Sequence, residues 1–134
     1  MNICGSPREP SYIYKVNGVR AQKIKVMSKF VSTFNKGFNM TFENGFGISV
    51  QWGVGNYCDR KDGGDYNESM NGEFWEATSA EIMITGNNDG VVLGNGDVVA
   101  GWLSTDKVAE VIHMCSTARN TAHLNQMLKN STLS

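Results

Sequence analysis

The sequence has few of the features that define several large classes of protein. Its 134 residues include only two prolines, and the formal net charge is −1. No apolar run approaches the ~20 residues that a membrane-spanning helix needs, and the N-terminus lacks the apolar core of a secretory signal peptide. The small net charge argues against general affinity for long nucleic acids or anionic membranes. These absences predict a soluble, intracellular protein.

Cysteine and histidine are too few and too widely spaced to predict a metal centre. Cys4, Cys58 and Cys115 are odd in number and far apart in the chain, which favours free thiols in a reducing compartment. His113 and His123 lie ten residues apart on a predicted helix, too distant to share a metal ion on one helix face. The sequence therefore predicts no metal site and no cofactor.

Glycine and apolar residues are, by contrast, abundant. The chain contains 15 glycines, and 40% of its residues are apolar and 10% aromatic. This composition is typical of a folded globular protein, and 134 residues fit one domain with a substantial core. Many glycines with few prolines favour a β-rich fold with tight turns.

The stretch from 39 to 60 is the centre of the predicted fold. Apolar and polar residues alternate on both sides of Asn44-Gly45, a pair typical of tight β-hairpin turns. One face of the return strand carries Phe46, Ile48, Val50 and Trp52. The strand then runs into G-V-G-N-Y-C-D-R, where two glycines free the backbone. A rigid hairpin that leads into such a loop is a common way to present a binding site, although an ordinary strand end has the same features.

The next part of the chain predicts an exposed loop and then further strands. Residues 61–72 are polar and have almost nothing to bury. Closely spaced turn signals separate the predicted strands at 75–85, 91–93 and 98–103. The inward side chains of the first of these strands are predicted to be Ala80, Ile82 and Ile84.

A helical region completes the predicted domain. Ser104 or Thr105 caps its start, and Asn120 interrupts it. Apolar stripes lie on both sides of the interruption, with Val108, Val111, Ile112 and Cys115 before it and Leu124, Met127 and Leu128 after it. The predicted fold class is therefore α+β, with an antiparallel sheet of about five strands and a C-terminal helical region packed on it.

The N-terminal part is predicted to be separate from this domain. Residues 1–10 have the character of a leader, and a short hairpin is expected around Asn17-Gly18. Helical spacing predicts a helix from Arg20 to Asn35, on the pattern of Ile24, Met27, Val31 and Phe34.

The predicted division of the chain is an N-terminal extension, 1–37, and a single domain, 38–134. A second interpretation concerns the gene rather than the fold. Met27, which is followed by Ser28-Lys29, could be an alternative start, and a chain that began there would retain the whole hairpin.

Three aromatic side chains could give a flat surface to a binding site: Tyr57, Trp75 and Trp102. A nucleotide base could stack on any of them. Tryptophan is also a common core residue, and that interpretation stays open for both indoles.

Polar groups could hold the phosphates and the polar edges of a nucleotide. Guanidinium groups pair bidentately with phosphate, as Arg60 and Arg119 could do. Backbone N–H groups at Gly53 and Gly55 could approach an anion closely, and Asn56 and Asn88 could bind polar edges. The ordinary alternatives are a solvated charge for Arg60 and a helix-surface position for Arg119. The G-x-G of this loop lacks the Gly-Lys-Ser/Thr of a P-loop.

The central stretch resembles a family of small phage proteins. The resemblance rests on F-E-N-G-F-G-I-S-V-Q-W-G-V-G-N-Y-C-D, on A-E-I at the start of a strand, and on a helix that begins S-T-D-K-V-A-E-V. This series is similar to the first family of phage Thoeris anti-defence proteins. It spans about 38–115, with G-x-G-N-Y-C-D as its most distinctive part. The first 37 residues and the tail after Arg119 lie outside it.

The resemblance implies an oligomeric binding protein of the host cell cytoplasm, and not an enzyme. Such a protein captures a cyclic ADP-ribose isomer made by a bacterial TIR-domain enzyme and holds it intact, so that the defence effector never senses it. The residues that fall on the family pattern are Gly55, Asn56, Tyr57 and Arg60, and chemistry alone adds Trp75, Asn88 and Arg119. Binding of cyclic oligonucleotides at separate sites, known for some members, is left open. Long nucleic acids and membranes are not expected partners.

Two other functions are compatible with the sequence. An inhibitor could bind a host protein directly through an exposed sheet edge. A small nucleotide hydrolase could use Cys58 as a nucleophile, or a pair of acids brought together from separate strands.

Overall fold

A five-stranded antiparallel sheet, in the order β3-β4-β5-β6-β7, forms the centre of the fold. The computed structural model describes residues 13–16, 19–22, 27–86 and 99–131. In chain order the elements are β1 (Ile13–Val16), β2 (Val19–Gln22), β3 (Lys29–Thr33), β4 (Gly37–Thr41), β5 (Gly47–Gln51), α1 (Tyr66–Asn71), β6 (Ala80–Thr85), β7 (Val99–Leu103), α2 (Thr105–Thr117) and α3 (Thr121–Asn130). The predicted α+β class, with a sheet and C-terminal helices, is confirmed.

The predicted central hairpin is formed by β4 and β5. Its turn is closed by hydrogen bonds from Phe42 N to Phe46 O, 2.8 Å, and from Gly45 N to Phe42 O, 3.0 Å. Gly45 has a φ of +93°, which a residue without a side chain adopts at little cost. The Asn44 amide donates to the carbonyls of Cys115 and Ala118, at 2.7 and 2.9 Å. The tip of the hairpin therefore satisfies carbonyl groups at the end of α2 that the helix itself cannot pair.

The two faces of the sheet differ in polarity because side chains alternate along each strand. One face is covered by α2 and α3, and the hydrophobic core lies between this face and the two helices. The strand residues buried there include Ile48, Val50, Ile82 and Ile84, as predicted for β5 and β6. The opposite face is polar and includes Asn39, Ser49 and Gln51.

α2 begins at the predicted cap Ser104, and α3 begins at Asn120, where the sequence predicted only an interruption of the helical region. The Ser104 hydroxyl accepts a hydrogen bond from Lys107 N at 3.2 Å, and the Asn120 side chain accepts one from His123 N at 2.8 Å. The buried stripes match the prediction, with Val111 and Cys115 in α2 and Leu124 in α3 fully buried. In the described part of the chain, no helix is both long and apolar enough to cross a membrane.

The predicted helix from Arg20 to Asn35 is wrong. β2 extends to Gln22, and β3 forms an edge strand paired with β4. A tight turn returns the chain from β3 to β4, with a hydrogen bond from Lys36 N to Thr33 O at 3.0 Å. Pairing across this turn outweighs the helical spacing of the apolar residues. The sheet therefore starts upstream of the predicted domain boundary at residue 38, while the hairpin expected around Asn17-Gly18 is confirmed by β1 and β2.

Two further predictions need correction. The strand expected from 75 to 85 begins only at Ala80, because the preceding residues are held by side chains of a neighbouring loop. The predicted exposed loop at 61–72 contains the short helix α1, which the Asp65 carboxylate caps by accepting from Asn67 N. The strand predicted at 98–103 is confirmed as β7. The predicted elements at 1–10 and at 87–97 lie outside the described residues.

Candidate ligand-binding site

The loop from Gly53 to Arg60, which carries the distinctive motif, is closely folded on itself. Asn56 N donates to Gly53 O at 3.1 Å, and Gly55 N donates to Lys61 O at 3.0 Å. Gly55 has a φ of +92°, and a Cβ placed on it would meet nothing within 4 Å. Glycine is therefore needed here for its backbone conformation and not to make room for a neighbouring atom. Its N–H is already paired with Lys61 O.

Asp59 fastens this loop to the segment before β6. Its carboxylate accepts hydrogen bonds of 2.8 to 3.1 Å from the backbone N–H and the hydroxyl groups of Thr78 and Ser79. Desolvation alone would raise the pKa of Asp59, but these hydrogen bonds to the charged form outweigh it and lower the pKa from 3.8 to about 2. Asp59 is thus a structural clamp that works as a carboxylate.

Arg60 makes a second connection to the same segment. Its guanidinium donates to the carbonyls of Gly63 and Glu76, at 3.2 and 2.8 Å, and stacks 3.9 Å from the centre of the Trp75 ring. Two of its donor groups are therefore already paired with backbone carbonyls. Arg60 is therefore not simply a solvated surface charge, which was the alternative interpretation of this residue.

Trp75 is only 7% exposed, which fits the core interpretation. It lies beside an apolar cavity of about 410 Å³ between the sheet and α2. We call this space the apolar cavity; its walls include Phe38, Val50, Trp52, Trp75, Leu103 and Ile112.

A second cavity of about 460 Å³ lies on the opposite, polar face of the sheet. We call it the polar cavity; its walls include Thr33, Lys36, Asn39, Ser49, Gln51 and Asn56. Asn56 reaches it from the motif loop, while the other five come from β3 to β5 and the turn between β3 and β4. The two cavities are on different faces of the sheet, so they are separate sites.

Two buried side-chain oxygens at the polar cavity have no hydrogen-bond partner: Gln51 Oε1 and Asn56 Oδ1. The Gln51 amide nitrogen donates to the hydroxyls of Thr33 and Ser49, each at 3.2 Å. The Asn56 amide nitrogen donates to Glu81 Oε1 at 3.4 Å, and this carboxylate can only accept. The Asn56 amide is therefore oriented by a carboxylate, whereas the partners of the Gln51 amide are hydroxyls, which can donate as well as accept. Both unpaired oxygens are shielded from solvent.

Gly37 makes room for the Gln51 side chain. The two residues are directly opposite each other in the β4–β5 pair. A Cβ on Gly37 would lie 2.8 Å from both Cδ and Nε2 of Gln51. Gln51 can therefore lie flat over β4 and reach Thr33 on β3, where it is 9% exposed.

Tyr57 lines neither cavity, and its ring packs against that of Trp102. The ring centres are 5.5 Å apart, and Lys61 Nζ lies 5.7 Å from the Tyr57 ring. Trp102 has a φ of +53° and is 57% exposed, so it is not a core residue. Sequence reasoning proposed both rings as stacking surfaces but not their pairing, for which no sequence signal exists.

Cys58 lies beneath the loop as a buried thiol. Its Sγ is 3.6 Å from Gly53 O, and burial raises its pKa. A neutral, buried thiol is a poor nucleophile. Within the described residues, no three His, Cys, Asp or Glu side chains are grouped closely enough to hold a metal ion.

The structure does not bring all the predicted site residues to one place. Asn56 lines the polar cavity and Trp75 the apolar cavity, whereas Arg119 lies exposed between α2 and α3 and lines neither. Asn88 lies outside the described residues. Gln51 was missed, because its burial depends on Gly37 and on a strand that the sequence did not predict. Comparison with family models, with curated proteins and with solved structures gave no match.

Proposed function

We propose that the protein is a phage anti-defence protein that binds and sequesters a cyclic ADP-ribose isomer, and so inhibits Thoeris signalling without degrading the signal. The observation that carries the proposal is that Asn56, on the motif loop, lines the polar cavity. Asn56 belongs to G-x-G-N-Y-C-D, the part of the chain that most resembles the family. The motif therefore contributes a residue to a cavity whose walls carry many hydroxyl and amide groups.

The polar cavity suits a small nucleotide in size and chemistry. Its volume of about 460 Å³ falls within the range of ~300–1,000 Å³ that is usual for ligand pockets. The hydroxyl and amide groups in its walls can both donate and accept hydrogen bonds. Cyclic ADP-ribose carries matching donors and acceptors on its ribose rings and its adenine. Lys36, another lining residue, offers a positive charge for its phosphates.

The loop is held in a way that favours binding over catalysis. Asp59 is engaged by Thr78 and Ser79, and Arg60 by Gly63 and Glu76, so neither is poised for proton or group transfer. The buried thiol of Cys58 gives no support to the hydrolase alternative. A preorganised loop loses little conformational entropy when the ligand binds, which favours tight capture.

Recovery of the messenger tests the proposal directly. Purified protein is mixed with cyclic ADP-ribose isomers, freed of unbound ligand by gel filtration, and heat-denatured. Release of intact nucleotide is the expected result, and release of a cleaved product would identify an enzyme instead. Asn56→Leu should release much less nucleotide than the wild type. Asn125→Leu, the same change on the exposed surface of α3, is the matched control and should release as much as the wild type.

An exposed edge strand supports the second candidate, an inhibitor that binds a host protein. β3 lies at one end of the sheet, and Phe30, Val31 and Phe34 at or beside it are all exposed. Exposed apolar groups on a sheet edge are typical of protein contacts. A stable complex with a host protein, without a thermal shift from cyclic nucleotides, would favour this function over sequestration.

The same edge supports the proposed homo-oligomer. A second copy could pair its own β3 against this strand and cover the phenylalanines. Analytical ultracentrifugation of the wild type and of Phe30→Glu tests this arrangement. The charge should shift the protein towards the monomer.

A further inference from the structure

The strand β7 contains a bulge at an exposed tryptophan. Its register against β6 shifts next to Glu81, where Gly101 and Trp102 both stand opposite this single residue. A β-bulge re-aims a side chain, and here Trp102 also has a φ of +53°, which a residue with a side chain adopts only at a cost in energy. Because the indole is more than half exposed, core packing is not the reason for this conformation.

The motif loop meets this bulge on the polar face of the sheet. Ala80 and Ile82 are buried in the core, so Glu81 between them projects to the opposite face. The Glu81 carboxylate accepts a hydrogen bond from Tyr57 N at 2.9 Å and one from the Asn56 amide at 3.4 Å. Tyr57 therefore shares its anchor with a residue that lines the polar cavity.

Backbone contacts hold the rings of Tyr57 and Trp102 side by side, and we call these two residues the aromatic pair. Trp102 N donates to Tyr57 O at 2.8 Å, and a Cβ on Gly101 would lie only 2.5 Å from Tyr57 Cβ. The ring centres are 5.5 Å apart, with 31° between the ring planes. Tyr57 is 47% and Trp102 57% exposed, so the pair is a fixed aromatic surface open to solvent.

The aromatic pair supplies what the polar cavity lacks. A nucleotide base is commonly held by stacking on an aromatic side chain, and none of the described residues that line the polar cavity is aromatic. Lys61 Nζ lies 5.7 Å from the Tyr57 ring, and an ammonium group can pair with phosphate. A flat ring that carries a phosphate therefore matches both the rings and the charge at this place.

We infer that the aromatic pair is the stacking surface for the base of the nucleotide, with Trp102, the more exposed ring, as the main contact and Lys61 beside it for a phosphate. The inference deepens the proposed function and rests on it, since it takes the ligand to be a nucleotide and assigns the part of the site that binds its base. Trp75 is not the stacking surface, because it is 7% exposed and the Arg60 guanidinium stacks on its ring.

Two ligands that differ only in the base test this surface without the messenger. Adenosine 5′-monophosphate and ribose 5-phosphate are titrated separately into the wild-type protein, and binding is followed by ligand-observed NMR. The nucleotide should bind about tenfold or more tightly, because only it can stack. Equal affinities, or no binding of either compound, would overturn the inference.

A substitution at Trp102 tests which ring makes the contact. Trp102→Leu should bind adenosine 5′-monophosphate about tenfold more weakly than the wild type, with the affinity for ribose 5-phosphate unchanged. Phe74→Leu is the matched control, because Phe74 is an aromatic residue that is 72% exposed and lies outside the pair, and it should bind both compounds as the wild type does. Wild-type affinity of Trp102→Leu for the nucleotide would contradict the inference.

A change at Lys61 tests the position of the phosphate. Lys61→Gln should weaken the binding of adenosine 5′-monophosphate by about threefold or more, and it should leave the binding of adenosine unchanged, because only the nucleotide carries the phosphate. Equal effects on the two compounds would show that Lys61 does not pair with the phosphate, and this part of the inference would fail.

Folding and function have separate readouts in this design. The thermal midpoint of each variant is measured first, and Tyr57→Leu replaces Trp102→Leu if the latter does not fold. The inference fails alone if the folded variant captures the cyclic messenger as well as the wild type does. The proposed function fails alone if no messenger is captured while adenosine 5′-monophosphate binds more tightly than ribose 5-phosphate and loses this preference in the variant.

Discussion

Trp52 and Trp75 donate hydrogen bonds to each other's backbone. The indole Nε1 of Trp52 lies 2.9 Å from Trp75 O, and the indole Nε1 of Trp75 lies 3.1 Å from Trp52 O. This reciprocal pair joins the end of β5 to the segment that precedes β6. The Arg60 guanidinium then stacks on the Trp75 ring, which brings the motif loop onto the same support.

Replacing Trp75 with phenylalanine should weaken this support. The change removes the donor to Trp52 O, reduces buried area and weakens the cation–π contact with Arg60. We expect the free energy of unfolding to fall by about 2–4 kcal/mol, measured by urea denaturation. Trp102→Phe is the matched control, and because that ring is 57% exposed it should cost less than about 1 kcal/mol. Equal losses in the two variants would contradict the structural role of Trp75.

The Asp59 clamp predicts a specific loss of stability in acid. The pKa of Asp59 is about 2 in the folded protein and near 3.8 when unfolded, so folding favours the charged form. The clamp is fully present above pH ~4 and is lost as the pH falls through the folded value. Asp59→Asn should be less stable at pH 7 by about 1–2 kcal/mol, a modest figure because solvent screens the exposed carboxylate.

The pH dependence separates this explanation from a general effect of the substitution. Urea denaturation of wild type and Asp59→Asn at pH 7, 4 and 2.5 gives the difference in unfolding free energy at each pH. The difference should be constant from pH 7 to 4 and should shrink below pH 4. A difference that stays unchanged down to pH 2.5 would show that the charge of Asp59 does not hold the loop.

The elements that the sequence predicted correctly are those with strong local signals. Asn44-Gly45 predicted the central hairpin, and Ser104 predicted the start of α2. The interruption predicted at Asn120 separates α2 from α3. The edge strand β3 was missed because its apolar residues also fit helical spacing. Only the pairing of β3 with β4 decides between a strand and a helix, and that pairing is a tertiary interaction.

The candidate site could be predicted only where the motif itself supplied it. Asn56 was identified from the loop sequence, and the structure places it in the polar cavity. Gln51 looked like an ordinary polar residue of an exposed face, because nothing local indicates that Gly37 and Thr33 surround it. The partners of Arg60 are backbone carbonyls, Gly63 and Glu76, and sequence patterns do not reveal such contacts.

The turn between β3 and β4 contains a residue that is unfavourable for its conformation. Phe34 has a φ of +46° and its side chain is 70% exposed. A non-glycine residue in this region is strained by roughly 1–2 kcal/mol. Phe34→Gly should therefore raise the unfolding free energy by about 0.5–1 kcal/mol, after the larger entropy cost of ordering glycine is subtracted.

Phe34→Gly also tests whether this phenylalanine is kept for a contact. Sedimentation of the variant should show weaker self-association than the wild type, despite its higher stability. Phe34→Ala, which removes the ring but keeps the strain, is the control and should weaken association without the gain in stability. If neither variant changes the association state, the exposed ring does not take part in a subunit contact.

Gly37→Ala should disturb the polar cavity more than the rest of the fold. The added methyl group would collide with Val50 O and with the amide of Gln51, so β4 must shift or Gln51 must leave its position over β4. We expect a loss of about 1–3 kcal/mol in unfolding free energy, measured by urea denaturation. Gly63→Ala is the matched control, because a Cβ there meets nothing within 4 Å, and it should change stability by less than about 0.5 kcal/mol. Wild-type stability of Gly37→Ala would show that β4 and the Gln51 side chain do not depend on the space left by Gly37.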